Sequence, residues 1–320
     1  MIELTGTFNK IDYRLRPAKH CERSMLIDLF KRMQFSPIQN YQYVGLGSVA
    51  FVDFKMVHKA LGVSKLISIE DVDDENEKKR FERNKPFDCV HLKFGNSKAV
   101  LPSLDFSQKS IVWMDYDDAF SRDIANDLSL IAGKASSGSL LATTFTTHFP
   151  TDPKEGRKEA DRLQGEFPDF LEEGVKLSEF QGHIYANFCR TTLNSIIEKA
   201  ISDADAGVAE ARQKRMLKQV CFFRYKDGSP MVTYAWIILC ESDLEKFSLC
   251  DFEGLPFVRT GEEPFRIKVP LVTPVEIQEM ERRVPGLEAN TEIEWIPCRE
   301  RSDFEKIYRY LPHFSSVEQV

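Results

Sequence analysis

The chain has 320 residues, of which 42% are hydrophobic and 29% are charged, and its formal net charge is −7 at pH 7. This length can bury a sizeable core, and the composition is that of a soluble globular protein. The negative charge disfavours nucleic acid as a partner but does not exclude it, because nucleic-acid binding relies on phosphate neutralisation by a basic patch.

Seven cysteines are scattered along the chain without a Cys-x-x-Cys pair, which disfavours a zinc ribbon or a redox dithiol. No apolar run approaches the roughly 18 residues of a membrane helix, and no stretch has the pattern of a signal peptide. We therefore expect a cytoplasmic protein with reduced thiols and no membrane partner.

The first predicted element is a helix over residues 11–34, within an N-terminal helical extension at 1–40. Its apolar residues recur at three-to-four spacing, as one face of a helix requires: Met25, Leu26, Leu29, Phe30 and Met33. Four cations precede or open the helix, either as a solvated face or as ligands for an anionic group in a pocket: Arg14, Arg16, Lys19 and Arg23.

From residue 40 onward, short apolar strands alternate with helical stretches. The predicted strands cover residues 41–45, 65–70, 89–94, 110–114 and 139–144. The predicted helices cover residues 50–61, 73–84 and 121–133. Strands that alternate with helices pair in parallel through right-handed crossovers, so the pattern predicts an α/β fold with a doubly wound, mostly parallel sheet.

The pattern changes after the fifth predicted strand. Residues 148–218 are charged and mostly helical, and we expect them to form a helical insertion over the sheet edge. Two β-rich runs within 219–239 flank Asp-Gly-Ser-Pro and predict an antiparallel hairpin. Residues 241–320 mix short apolar runs with two predicted helices, at 274–283 and 303–310, and are expected to form a small C-terminal α+β module.

Polar residues and glycines follow every predicted parallel strand, where ligands bind in a doubly wound sheet. They are Gly45, Gly47 and Ser48, then Glu70 and Asp71, then Gly95, Asn96 and Ser97, then Asp115, Tyr116, Asp117 and Asp118, then Thr144, Thr146, Thr147 and His148. Glycines let backbone approach a ligand closely, and an acid after the second strand can accept hydrogen bonds from ribose hydroxyls. The pattern predicts a site for a nucleotide-like cofactor.

Over residues 40–240 the chain resembles the class I S-adenosylmethionine-dependent methyltransferases. Three segments resemble motifs of that family: Tyr43-Val44-Gly45-Leu46-Gly47-Ser48, Phe94-Gly95-Asn96-Ser97-Lys98-Ala99-Val100-Leu101-Pro102 and Val112-Trp113-Met114-Asp115-Tyr116-Asp117. The hairpin at 219–239 matches the antiparallel strands that distinguish this family from dinucleotide-binding sheets. The resemblance implies a Rossmann-like methyltransferase domain over residues 41–240.

The resemblance also implies S-adenosylmethionine as cofactor and in-line methyl transfer to an acceptor. Ten residues are expected at the cofactor: Tyr43, Gly45, Gly47, Ser48, Glu70, Asp71, Asn96, Ser97, Asp115 and Tyr116. Among them, Glu70 matches the acid that holds the ribose and Asn96 the residue that contacts the adenine amino group. Asp115 and His148 are the candidate catalytic bases, needed where the acceptor loses a proton.

The chain departs from the family pattern at three places. The family usually has an acid at the position of Tyr43 and often a third glycine at the position of Val49, and this chain has neither. It also lacks the Asp-Asn pair that supplies metal ligands after the fifth strand in catechol-type relatives. A divalent metal stays possible through Asp115, Asp117 and Asp118, although one expected partner is absent, and we assign no metal ligand.

Two other functions stay open. Gly-Leu-Gly-Ser-Val-Ala also satisfies the dinucleotide pattern, so an NAD-type oxidoreductase is the second hypothesis, and it predicts a sixth parallel strand in place of the hairpin. The third is a non-catalytic methyltransferase-like binding module with the insertion as its partner surface. No motif identifies the acceptor or the oligomeric state.

Overall fold

The structure is a computed structural model that describes residues 16–171, 180–288 and 290–312. Eight strands form one sheet: β1 (Gln42–Leu46), β2 (Lys65–Glu70), β3 (Val90–Phe94), β4 (Ser110–Ala119), β5 (Ser139–Thr146), β6 (Arg215–Asp227), β7 (Ser229–Cys240) and β8 (Phe265–Arg266). Their order is β3-β2-β1-β4-β5-β7-β6-β8. Strands β1 to β5 pair in parallel, and β7 is antiparallel to both of its neighbours.

Ten α-helices occur in the described parts of the chain. They are α1 (Pro17–Lys31), α2 (Val52–Leu61), α3 (Glu75–Asn84), α4 (Ser97–Val100), α5 (Arg122–Lys134), α6 (Pro153–Glu166), α7 (Gly182–Ala204), α8 (Leu244–Leu249), α9 (Pro274–Glu281) and α10 (Cys298–Ile307).

Helices cover both faces of the sheet, because successive strand residues point to opposite faces. Tyr43 and Trp113 belong to a core shared with α1 and α2. Their neighbours Val44 and Met114 belong to the core on the other face, shared with α5 and α7. The predicted doubly wound, mostly parallel sheet is confirmed.

The β6–β7 hairpin is also present, and it turns at Gly228, whose φ of +91° favours glycine. Strand β6 begins at Arg215, four residues before the predicted hairpin. Strand β5 is followed in the sheet by the antiparallel β7. An NAD-type oxidoreductase was expected to have a sixth parallel strand at this position. The antiparallel β7 contradicts that expectation.

Residues 148–218 were expected to form a helical insertion over the sheet edge, but helix α7 of this segment packs elsewhere. Helix α7 packs beside α5 on the sheet, and its buried Cys189 and Leu193 share a core with Leu128 and Ile131 of α5. It is thus a regular layer helix and not a cap over the edge. Residues 172–179 of this segment lie outside the described residues.

Both flanking segments pack on the sheet. Met25 and Phe30 of α1, and Ile307 and Tyr310 near the C-terminus, belong to the same core as Tyr43. Strand β8 extends the sheet beside β6. A second small core holds the C-terminal segment together: Met280, Leu287, Ile293, Ile296 and Phe304. The bounds of the three units stay a prediction.

Candidate functional site

A cavity of about 680 Å³ opens at the carboxyl ends of β1 to β4. Strand ends and the first turns of α4 and α5 line it, as expected for a ligand site in an open α/β sheet. Its volume lies in the range that small-molecule ligands occupy.

The end of β2 presents a buried carboxylate to the glycine turn. Glu70 is 3% exposed, and Ser68 Oγ donates a hydrogen bond to its Oε1 at 2.5 Å. A Cβ on Gly47 would lie 2.0 Å from that same oxygen and 2.1 Å from Ser68 Oγ. Only a residue without a side chain fits at position 47 while the carboxylate occupies this place.

Glu70 has acceptor capacity left over. Among the described residues, Ser68 alone donates to the carboxylate, which can accept about four hydrogen bonds. Burial raises the pKa of Glu70 from 4.5 to about 8, and the hydrogen bond from Ser68 opposes that rise. A buried, under-used carboxylate beside a glycine turn fits the hydroxyls of a ribose.

The structure brings seven of the ten predicted cofactor residues to the cavity: Gly47, Glu70, Asp71, Asn96, Ser97, Asp115 and Tyr116. Tyr43, Gly45 and Ser48 do not line it. The Tyr43 ring meets Phe54 edge-on, with ring centroids 5.1 Å apart. A Cβ on Gly45 would lie 3.1 Å from the carbonyl oxygen of Trp113, so this glycine serves the packing of β1 against β4.

His148 lies outside the cavity lining. It is exposed, two residues beyond β5, and its backbone N–H donates to Thr146 Oγ1 at 3.3 Å. This placement gives no support for a catalytic base at His148.

Strand β4 leaves its register where it meets the cavity. Asp115 pairs with Thr144 of β5, whereas Ala119 pairs with Thr146, so β4 carries two extra residues between these pairs. Bulges of this kind re-aim side chains next to ligand sites. Here the bulge places Tyr116, Asp117 and Asp118 on the cavity wall.

Lys19 of helix α1 contacts the cavity wall by pairing with Asp115 of β4. The Nζ of Lys19 lies 2.7 Å from Asp115 Oδ1 and 2.7 Å from Glu22 Oε2, and the lysine is 1% exposed. Glu22 also accepts hydrogen bonds from the hydroxyls of Thr144, Tyr225 and Thr233.

The remaining cations of the first helix are used within the protein or are not described. Arg23 pairs with Asp53 in the first turn of α2. Asp227, next to the turn of the β6–β7 hairpin, accepts hydrogen bonds from the backbone N–H groups of Ala18 and Lys19 at the start of α1. Arg14 lies outside the described residues.

A second buried carboxylate in the cavity, Asp127 of α5, was not among the predicted residues. It is 5% exposed, and its Oδ2 accepts hydrogen bonds from Ser97 Oγ at 2.5 Å and Tyr116 Oη at 2.9 Å. Burial raises the pKa of Asp127, and those two hydrogen bonds oppose the rise. Asn96, by contrast, caps α4, since its Oδ1 accepts from Ala99 N at 3.0 Å.

The cavity is strongly acidic. Seven carboxylates line it: Glu70, Asp71, Asp115, Asp117, Asp118, Asp123 and Asp127. The basic residue in the lining is Lys98, whose Nζ lies 2.8 Å from Asp123. The local potential therefore favours cations and neutral groups over polyanions.

The part of the chain that the structure describes has neither a metal-binding cluster nor a membrane-spanning helix. Residues 16–171, 180–288 and 290–312 contain no group of three or more His, Cys, Asp or Glu side chains placed to hold a metal ion. None of the helices within these ranges has both the length and the apolar character of a membrane span.

A protein-family model described as "Putative O-methyltransferase" matches residues 11–319. No curated protein matches the chain. Similar solved structures include Trm1 from Pyrococcus horikoshii with S-adenosyl-L-methionine, at 13% identity over 83% of this chain and 72% of that chain, with a TM-score of 0.46. The O-methyltransferase TomG from Streptomyces achromogenes, in complex with the same cofactor, is 13% identical over 68% of this chain and 79% of that chain, with a TM-score of 0.37.

The family model spans nearly the whole chain, including both flanking segments. Gly47 leaves room for the carboxylate of Glu70, which lines the cavity and has acceptor positions that no described residue fills, so it can accept hydrogen bonds from hydroxyls of a cofactor. The chain belongs to this methyltransferase family, and it is an S-adenosylmethionine-dependent methyltransferase whose acceptor is not identified.

Proposed function

We propose that the protein transfers the methyl group to a hydroxyl oxygen of a neutral or cationic acceptor, and that Asp115 receives the hydroxyl proton. The position of Asp115 is the observation that supports this proposal most directly. Its carboxylate lines the cavity, Lys19 holds Oδ1 at 2.7 Å, and no described residue donates to Oδ2. The family description, which names an oxygen acceptor, supports the same reaction.

We assign the cofactor to the residues that line the cavity near the ends of β1 to β4. Glu70 accepts hydrogen bonds from the ribose hydroxyls, and Gly47 leaves room for the Glu70 carboxylate. Asp71, Asn96, Ser97 and Tyr116 form the adjoining walls. Tyr43, Gly45 and Ser48 shape the glycine turn from outside the cavity.

When bound, S-adenosylmethionine supplies an electrophilic methyl group, which departs from sulfur without its bonding electron pair. Oδ2 of Asp115 accepts the proton that the acceptor hydroxyl loses. Lys19 fixes the orientation of the carboxylate by holding its other oxygen. The chain thus contributes alignment and one proton acceptor, and needs no covalent intermediate.

The acidic lining restricts the acceptor. Seven carboxylates against one lysine repel a phosphate-rich molecule, because like charges in a cleft oppose association. We therefore propose a neutral or cationic small molecule and not a nucleic acid as the acceptor.

We propose a cytoplasmic location for this activity. All seven cysteines are free, which fits a reducing compartment.

The test uses methyl-labelled S-adenosylmethionine with a panel of alcohols, phenols, amines and thiols, and mass spectrometry of the products. We expect labelled ethers from a neutral or cationic hydroxyl compound. Asp115→Asn is expected to lower the rate by about 10²- to 10⁴-fold, the usual contribution of a general base. Transfer to amines or thiols alone, or an unchanged rate in Asp115→Asn, contradicts the proposal.

Two controls frame this result. Asp88→Asn, at an exposed aspartate that does not line the cavity, is expected to leave the rate unchanged. His148→Ala tests the second predicted base directly, and a loss comparable with that of Asp115→Asn transfers the assignment to His148.

The alternatives are separated by ligand binding. A ligand that binds the native state raises the melting temperature. We expect S-adenosylhomocysteine to raise it and NADH to leave it unchanged. Binding of S-adenosylhomocysteine without methyl transfer to any acceptor class supports the non-catalytic module.

A further inference from the structure

Asp127 joins two walls of the cavity that the sheet keeps apart. Ser97 follows β3 and Tyr116 lies in β4, and these strands are separated in the sheet by β2 and β1. Both hydroxyls donate to the same oxygen, Asp127 Oδ2. The carboxylate is therefore held in one orientation at the cavity wall.

The other oxygen of Asp127 is unused. No residue within the described ranges donates a hydrogen bond to Oδ1, although the side chain is 5% exposed. Oδ1 is solvent-accessible and is not a buried atom left without a partner, so it is free to accept a hydrogen bond from a ligand in the cavity. Asp127 lines the cavity, so a ligand there can reach it.

The adenosyl group offers few donors to match this oxygen. Glu70 is assigned to the ribose hydroxyls, and Asp115 to the reacting end of the site. The remaining donors are the exocyclic amine of adenine and the ammonium of the methionyl chain. Adenine is on the far side of the ribose from the reacting end, and Ser97 lies at β3, next to the strand that carries Glu70.

We infer that Asp127 accepts a hydrogen bond from the exocyclic amine of adenine, and so selects adenine at the position where Asn96 was expected to act. The inference rests on the proposed function, because it requires the adenosyl group to occupy this cavity. Asn96 is the weaker candidate, since its side-chain oxygen is engaged in capping α4. Ser97 and Tyr116 are positioning residues, which hold the carboxylate without contacting the base.

Calorimetric binding of two ligands to the wild-type protein is the first measurement. The ligands are S-adenosylhomocysteine and its analogue with hydrogen in place of the adenine amine. A hydrogen bond to a charged group is worth enough that we expect the analogue to bind about 10- to 100-fold more weakly. Equal affinities overturn the inference without any substitution.

Variants then show which residue distinguishes S-adenosylhomocysteine from the analogue without the adenine amine. We expect Asp127→Ala to bring the affinity ratio of the two ligands close to one, and the matched Asn96→Ala to keep the wild-type ratio. Asp127→Asn keeps the shape but removes the charge, so its ratio is expected between the two, because charge-assisted hydrogen bonds are stronger. If Asp127→Ala does not fold, Asp127→Asn decides.

A third ligand separates the two possible donors. 5′-Methylthioadenosine keeps the adenine amine and lacks the amino-acid chain. If Asp127→Ala removes the preference for S-adenosylhomocysteine over methylthioadenosine and leaves the amine preference intact, Asp127 binds the ammonium and the inference is wrong. Failure of the wild-type protein to bind S-adenosylhomocysteine defeats the proposed function itself, which is a different result from binding without discrimination.

Discussion

Two buried glutamates, one in α1 and one at the end of β2, have different surroundings. Glu22 in α1 is 0% exposed and accepts from one ammonium and three hydroxyls. Glu70 at the end of β2 is 3% exposed and accepts from Ser68 alone. Burial does not separate a structural carboxylate from a ligand-binding one. The filling of its acceptor positions does, because an unfilled acceptor that is open to a cavity is available to a ligand.

Replacing the saturated glutamate has the largest expected effect. Glu22→Ala leaves the buried ammonium of Lys19 with one carboxylate and strips three hydroxyls of their acceptor. We expect the free energy of unfolding to fall by about 3–5 kcal/mol, as when one partner of a buried ion pair is removed. Urea denaturation measures the change. A loss below about 1 kcal/mol shows that Glu22 is not structural.

The unsaturated glutamate is expected to behave in the opposite way. Glu70→Gln removes the charge that the ribose hydroxyls bind, so the affinity for S-adenosylhomocysteine falls by about 10- to 100-fold. The free energy of unfolding does not fall, because no described cation loses a partner. Glu82→Gln, at an exposed glutamate of α3, is the matched control for both measurements. If Glu70→Gln lowers the free energy of unfolding and keeps the affinity for S-adenosylhomocysteine, Glu70 is a structural carboxylate and not a ligand-binding one.

A smaller change tests the position of the Glu70 carboxylate without altering its chemistry. The methyl group of Gly47→Ala would lie 2.0 Å from Glu70 Oε1, so the carboxylate must move. We expect affinity for S-adenosylhomocysteine to fall by about tenfold, corresponding to one strong hydrogen bond. Gly165→Ala in α6, where nothing lies within 4 Å of an added Cβ, is expected to bind normally.

The pH dependence of binding tests the same carboxylate without a substitution. The pKa of Glu70 is raised to about 8 in the free protein, so its carboxyl carries a proton below that pH. Hydroxyl donors favour the ionised form and lower the pKa in the complex. Binding therefore releases protons, and affinity rises with pH up to about 8, by at most about tenfold per pH unit.

Calorimetry in buffers with different ionisation enthalpies measures this proton release. Asp127, whose pKa is also raised by burial, contributes with the same sign, so Glu70→Gln is needed to isolate the first carboxyl. An affinity that is flat between about pH 6 and pH 8 in the wild-type protein contradicts a ribose contact by Glu70.

Much of the sheet was predictable because its strands are short apolar runs between turn residues. The predicted strand 65–70 coincides with β2, and the hairpin follows from two β-rich runs around Gly228. Helix α7 lies in a segment that was expected to be helical, but its burial against α5 was not predicted, although its apolar residues recur at four-residue spacing: Tyr185, Cys189, Leu193, Ile197 and Ile201. A face of that kind predicts burial against another layer.

The site was predictable where its chemistry is local in sequence. Gly47 and Glu70 follow two adjacent strands, and parallel strands bring their ends together. Gly45 could not be separated from Gly47, because what distinguishes them is contact with Trp113 in one case and Glu70 in the other. Asp127 lies in the interior of a helix, and its place in the cavity depends on partners in two other elements.

The attachment of α1 has a consequence for the order in which the chain matures. Its backbone is held by Asp227, and Glu22 needs Thr233, so the partners lie more than 200 positions downstream. A helix that leaves the ribosome before the β6–β7 hairpin cannot dock until that hairpin has been made, and such distant contacts slow folding. Until then Lys19 and Glu22 remain hydrated, and the reacting end of the cavity lacks one wall.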